Sequence, residues 1–159
     1  MKNSKCTTVG KVFTIAAATA LALAISPTAK ADDKGCSNAT LRGTFAYTST
    51  GTITSPPSIA GPVAEVGTQT FDGNGNTTAT AWLAEVGQLS ITGTYTVNPD
   101  CTGTFTLQVT FPPSTGVGVV PVDVFFVIDN GGDEFQAIET DAGFVITRIG
   151  RRLYPGKDI

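Results

Sequence analysis

The chain of 159 residues has no histidine, 14% charged residues, one tryptophan and one methionine. Without imidazole, every His-based catalytic triad and every His-ligated metal site is excluded. No serine stands in a Gly-x-Ser-x-Gly elbow, and no Gly-rich phosphate loop opens a helix. Nothing in the chain calls for a bound cofactor. Basic residues are scarce beyond residue 31, with six against thirteen acidic ones, a net charge of −7 over 32–159. Nucleic acid and anionic membrane both need a basic face, so neither is an expected partner.

What the chain does have begins with an address. Lys2, Lys5 and Lys11 form a basic start, and Val12–Ile25 is an uncharged, mostly apolar run of 14 residues. That run is too short to span a bilayer comfortably, and Ser26-Pro27 breaks it. Ala29-Lys30-Ala31 is the small-x-small pattern of signal cleavage, so residues 1–31 are expected to leave as a signal peptide. The expected product is one domain, 32–159, exported to the periplasm or medium and without a membrane anchor. A single core suits that length.

Of three cysteines, Cys6 departs with the leader, and Cys36 and Cys101 enter an oxidising compartment. Their expected state is a structural disulfide. A redox-active pair would show closer spacing or a basic neighbour, whereas Cys101 sits beside Asp100.

After residue 31 the apolar residues recur with period two, in short runs split by Gly, Asn, Asp and Pro. Leu89, Ile91, Gly93, Tyr95 and Val97 alternate with Ser90, Thr92, Thr94 and Thr96, and Thr favours pleated structure. Eight strands are predicted, at about 41–50, 63–71, 77–86, 89–97, 103–111, 120–129, 134–140 and 144–151. Asp72-Gly73-Asn74-Gly75-Asn76 and Asp129-Asn130-Gly131-Gly132 supply residues that tolerate the positive φ of tight hairpins. Eight short-linked strands predict an all-β, antiparallel up-and-down barrel, with a β-sandwich as the alternative. In an up-and-down order Cys36 and Cys101 fall at the same end. The two longest loops, 51–62 and 112–119, fall at the other. These loops carry no charge and offer Ile53, Ile59 and Val117 at a rim, whereas the bridged end carries Asp72, Asp100, Asp129 and Asp133.

Several residues are candidates for chemistry. Asp72, Asn74 and Asn76 match the first three ligand positions of a calcium loop, but Thr77 and Leu83 stand where Gly and Glu belong, so a hairpin turn is expected and no metal site. Ala-Glu-Val-Gly occurs at 64–67 and again at 84–87. A hairpin centred on Gly75 would set Glu65 opposite Glu85, about 5 Å apart, where paired carboxylates do acid–base work. Solvated surface glutamates are the plainer reading. Tyr47, Trp82 and Tyr95 lie within strands and could line a ligand cavity or pack in the core. Arg148, Arg151 and Arg152 are the one basic cluster after the leader, placed to pair with local acids.

The stretch Cys36-Ser37-Asn38-Ala39-Thr40-Leu41-Arg42-Gly43-Thr44-Phe45 resembles the opening of a family of uncharacterised exported bacterial proteins. Phe71-Asp72-Gly73-Asn74-Gly75-Asn76, Gly93–Thr104 (GTYTVNPDCTGT) and Asp129–Phe135 (DNGGDEF) are similar to that family's later motifs. The resemblance implies export and architecture, and no activity. More loosely, the layout is similar to the eight-stranded barrels of the allene oxide cyclase and dirigent type, which act on or bind apolar molecules inside the barrel. No motif carries their site residues across.

The leading expectation is a non-catalytic exported barrel that binds a small apolar ligand or a partner protein at its uncharged loop end. The alternatives are a cyclase- or isomerase-like enzyme using Glu65, Glu85 or a Tyr inside the barrel, and a purely structural surface protein. A packed interior would favour the last of these.

Overall fold

Runs in which Thr alternates with larger apolar residues place one set on each face of a pleated strand. In the computed structural model, which describes residues 35–154, these runs form eight strands. They are β1 (Gly43–Ile53), β2 (Gly61–Phe71), β3 (Asn76–Leu83), β4 (Gly87–Val97), β5 (Thr102–Thr110), β6 (Val119–Asp129), β7 (Glu134–Glu139) and β8 (Phe144–Arg152). Each strand pairs antiparallel with the next, and β1 pairs with β8, so the sheet closes into a barrel with no free edge. The barrel, not the sandwich, is the architecture. The expected leader, its cleavage point and Cys6 lie outside the described residues.

Outward positions are largely polar, and cross-strand hydroxyl contacts such as Thr44 Oγ1 to Thr70 Oγ1 at 3.0 Å tie neighbouring strands. Inward positions divide the interior into two halves. Towards the disulfide end, Phe45, Phe71, Tyr95, Phe105, Phe126 and Phe135 stack and T-pack with centroid separations of 4.3 to 5.9 Å. Two of those rings lie over glycines in the facing strand: Phe126 pairs with Gly103 and Phe135 with Gly150. A methyl group at either glycine would fall on ring carbons of its partner.

A short 3-10 turn, Asn38–Leu41, closes this end and buries Leu41 completely. Asn38 Oδ1 accepts from Val97 N at 2.8 Å, and Arg152 Nη2 donates to Thr40 O at 3.0 Å and Gly132 O at 2.8 Å. The Cys36–Cys101 disulfide, with Cα atoms 4.9 Å apart, joins the segment before β1 to the β4–β5 turn. Asp72, Asp100, Asp129 and Asp133 lie at the same end, in or beside its turns. The longer loops, 54–60 and 111–118, meet at the opposite end. That rim is not free of charge, because the short β3–β4 and β7–β8 turns bring Glu85 and Asp141 to it.

Candidate functional site

Strand alternation that sends apolar side chains inward also sends three charged ones inward at mid-height. Glu65 follows Val63 on β2, Glu139 follows Ala137 on β7, and Arg148 follows Ile146 on β8. Cross-strand register brings two of them beside one neighbour, because Ser49 on β1 pairs with Glu65 on one side and Arg148 on the other. Arg148 Nε donates to Ser49 Oγ at 3.0 Å, and its Nη1 lies 3.5 Å from Gln69 Oε1. Its Nη2 is 3.9 Å from Glu65 Oε1, and its Cζ lies 4.4 Å from the centre of the Tyr47 ring. Tyr47 donates its hydroxyl hydrogen to Glu65. Gln69 in turn donates to Thr77 Oγ1 at 3.1 Å, and Thr77 to the Thr70 carbonyl at 3.0 Å.

One member of this cluster is left over. Glu139 Oε2 is shut away from water and has no hydrogen-bond partner. Burial pushes the Glu139 carboxyl up to about 7; Arg148 opposes that rise, while Glu65 and Asp141 add to it. Burial also raises the Tyr47 hydroxyl far above the ordinary phenol range, against the pull of Arg148 and with added push from Glu65. The phenol therefore stays protonated and donating at any working pH.

Above the cluster the interior is hollow. A cavity of about 40 Å³ is walled by apolar side chains, among them Ile91, Val109, Val122 and Ile146, with Glu65, Glu139 and Arg148 as its polar members. That volume is enough for more than one water-sized group. A wider mouth of about 270 Å³ lies under the 54–60 and 111–118 loops. Ile53, Ile59, Val63, Leu83 and Phe111 line both, so mouth and cavity share a wall. The arrangement can hold an apolar body against a polar floor, and it places a carboxyl able to give or take a proton beside that body.

No family model, curated protein or solved structure matches this chain.

The structure brings together some of the expected site residues and separates others. Ile53 and Ile59 line mouth and cavity, Val117 lines the mouth, and Tyr47 sits in the polar cluster. Ile53 is buried, not exposed on the rim. Tyr95 packs in the closed end, where its hydroxyl donates to Asn38 O at 2.9 Å and accepts from Gly73 N at 3.0 Å. Trp82 points outward and is 61% exposed, because Leu83 beside it takes the inward position.

Glu65 pairs with Leu83, and Glu85 stands exposed in the β3–β4 turn, so the two glutamates do not face each other. The turn is the cause. Asp72 Oδ1 accepts from Asn74 N at 2.7 Å and Asn76 N at 3.0 Å, while Asp72 Oδ2 accepts from Asn76 Nδ2 at 2.7 Å. This closes the hairpin at Phe71–Thr77, centred on Asn74 rather than Gly75. Those bonds, which also hold the Asp72 carboxyl below its usual range, are the chemistry of a turn.

Of the arginines, Arg151 meets Glu134 at 3.0 Å and Arg152 meets Asp133 at 2.8 Å, whereas Arg148 enters the barrel. Glu139 is the site residue the pattern alone did not single out, and Arg148 stood out only as part of the basic cluster, not as an inward-facing charge. Their signal was available: each is a charge in the inward register of an otherwise apolar alternation.

Proposed function

We propose that this protein is an exported binding barrel that takes a small, mainly apolar ligand through its loop end into the interior. The observation that carries this reading is the division of the interior. One half is filled by packed rings, and the other is an apolar cavity that shares lining side chains with a mouth at the loop end and is floored by a polar cluster. A purely structural barrel has no use for such a gap, since each unfilled methyl-sized space costs stability. A concave mouth beside an internal cavity fits a small molecule better than a flat partner surface. Export is supported by the leader pattern, by the disulfide and by the resemblance to exported bacterial proteins.

The test is a titration of the mature protein with a neutral hydrophobic fluorophore, 1-aminoanthracene. Enhancement is expected in the wild type and loss of it in Val122→Phe, which fills the cavity. No enhancement, or equal enhancement in the variant, overturns the reading.

A second reading, acid–base chemistry of the cyclase or isomerase kind, is favoured by one observation: Glu139 combines a carboxyl pKa of about 7 with a place on the wall of an apolar cavity. Here Glu139, held near Arg148 and Glu65, would be the group that moves the proton. Turnover abolished in Glu139→Gln with ligand binding retained distinguishes it from binding alone.

A further inference from the structure

We propose that the ligand carries one uncharged oxygen, a carbonyl or hydroxyl, that hydrogen-bonds to Glu139 at the inner end of the cavity, and that the same site rejects carboxylates. This rests on the binding reading above and deepens it.

Arg148 is engaged by Ser49, Gln69, Glu65 and the Tyr47 ring. Glu65 accepts from Tyr47 and lies beside Arg148. Among the described residues of the cluster, Glu139 makes no side-chain hydrogen bond: its Oε2 is buried without a partner, and the residue forms part of the cavity wall. A buried polar group left unpaired is costly, so a ligand oxygen that pairs with the Glu139 carboxyl recovers that cost.

Charge decides the kind of partner. β8 presents Arg148 to Glu139, β2 presents Glu65, and β1 presents the Tyr47 phenol. β6 presents apolar Val124 as the cross-strand neighbour. In the following turn Asp141 contributes a further negative charge, its Oδ2 accepting from Asp123 N at 2.6 Å. Asp123 itself receives the Thr106 hydroxyl on the outer face at 2.9 Å. One buried cation thus already answers one buried anion. A ligand carboxylate would bring a further negative charge, with no cation left to balance it, into an apolar cavity, which is strongly unfavourable.

A ketone oxygen accepts from the protonated Glu139 carboxyl. A hydroxyl accepts from the carboxyl or donates to the carboxylate. With half-protonation near pH 7, the two ligand types therefore respond differently to pH.

The experiment titrates 2-octanone, 1-octanol and octanoate into detergent-free protein, followed by the methyl resonances of Ile53, Ile91 and Ile146, at pH 6 and pH 8. The expected results are 2-octanone at least about tenfold tighter than octanoate at pH 6, and a fall of about tenfold in 2-octanone affinity at pH 8 as the carboxyl loses its proton. Affinity for 1-octanol should change by less than about threefold. Glu139→Gln, which donates at every pH, keeps 2-octanone binding and removes its pH dependence. Glu139→Leu weakens it by about tenfold.

Octanoate binding as tightly as 2-octanone, or a pH dependence surviving in Glu139→Gln, overturns the inference while leaving the binding reading intact. Failure of all three probes to move the methyl resonances overturns the binding reading itself and this inference with it.

Discussion

The Arg148 guanidinium lies over the Tyr47 ring, 4.4 Å from Cζ to the ring centre, where the barrel interior changes from packed aromatics to cavity. The contact joins two otherwise awkward groups. The phenol is held protonated by burial and donates to Glu65, and the cation above it compensates the charge of that same Glu65. Both charged side chains are over nine-tenths buried, so each depends on the other.

Arg148→Met is therefore expected to cost about 3–5 kcal/mol, because it strands a buried carboxylate. Adding Glu65→Leu should recover most of that loss, since replacing a whole buried pair by apolar groups is close to neutral. Urea unfolding of the two single variants and the double variant checks this. Additive losses would show that the pair is not coupled.

Glu139 sets a pH dependence of opposite sense to ordinary acid denaturation. Its folded carboxyl titrates near 7, above the 4.5 it has when freely hydrated, so the unfolded chain loses this proton first as pH rises. Its contribution is fully favourable below pH 4.5 and is lost as pH climbs through 7. The wild type should lose about 3 kcal/mol between pH 4.5 and 8 from this group. Glu139→Gln should abolish the decline. Chemical unfolding across that range measures it, and parallel curves for both proteins would contradict it.

Gly150 is required by the ring of Phe135, its cross-strand partner, rather than by its backbone angles. Gly150→Ala is expected to cost about 1–3 kcal/mol by overpacking, and Phe135→Leu in the same chain should relieve part of the cost. Thermal melting of both variants decides the point.

The Cys36–Cys101 bridge spans a sequence separation of 65 residues and pins the closing segment to the β4–β5 turn. The double variant Cys36→Ser, Cys101→Ser should unfold at lower denaturant, with a loss of about 4 kcal/mol. A guanidinium midpoint indifferent to reductant in the wild type would contradict this.

The strands were legible because Thr alternation and Asp-Gly-Asn turns are local signals, and the closed order of the sheet followed from short links between them. Register was not legible at β2–β3. There the side chain of Asp72 chooses the closing pair through three hydrogen bonds, which moves the partner of Glu65 from Glu85 to Leu83. The direction of Trp82 was hidden for a similar reason: Ala81, Trp82 and Leu83 are all apolar, and alternation is silent within such a run. Loop composition suggested Ile53 and Ile59 as exposed rim residues, but Ile53 closes β1 and is buried, and Ile59 is half-buried. The polar floor was not legible. Glu139 and Arg148 come from separate strands, and their meeting with Glu65 and Tyr47 depends on closure of β8 onto β1.

Native mass spectrometry of the disulfide-bonded protein, purified without detergent, decides whether the barrel holds a ligand. A reproducible extra mass that denaturation releases is expected, and it should be absent in Val122→Phe. A bare chain in the wild type, two hydrogens below the reduced mass and with nothing to release, would contradict the binding reading.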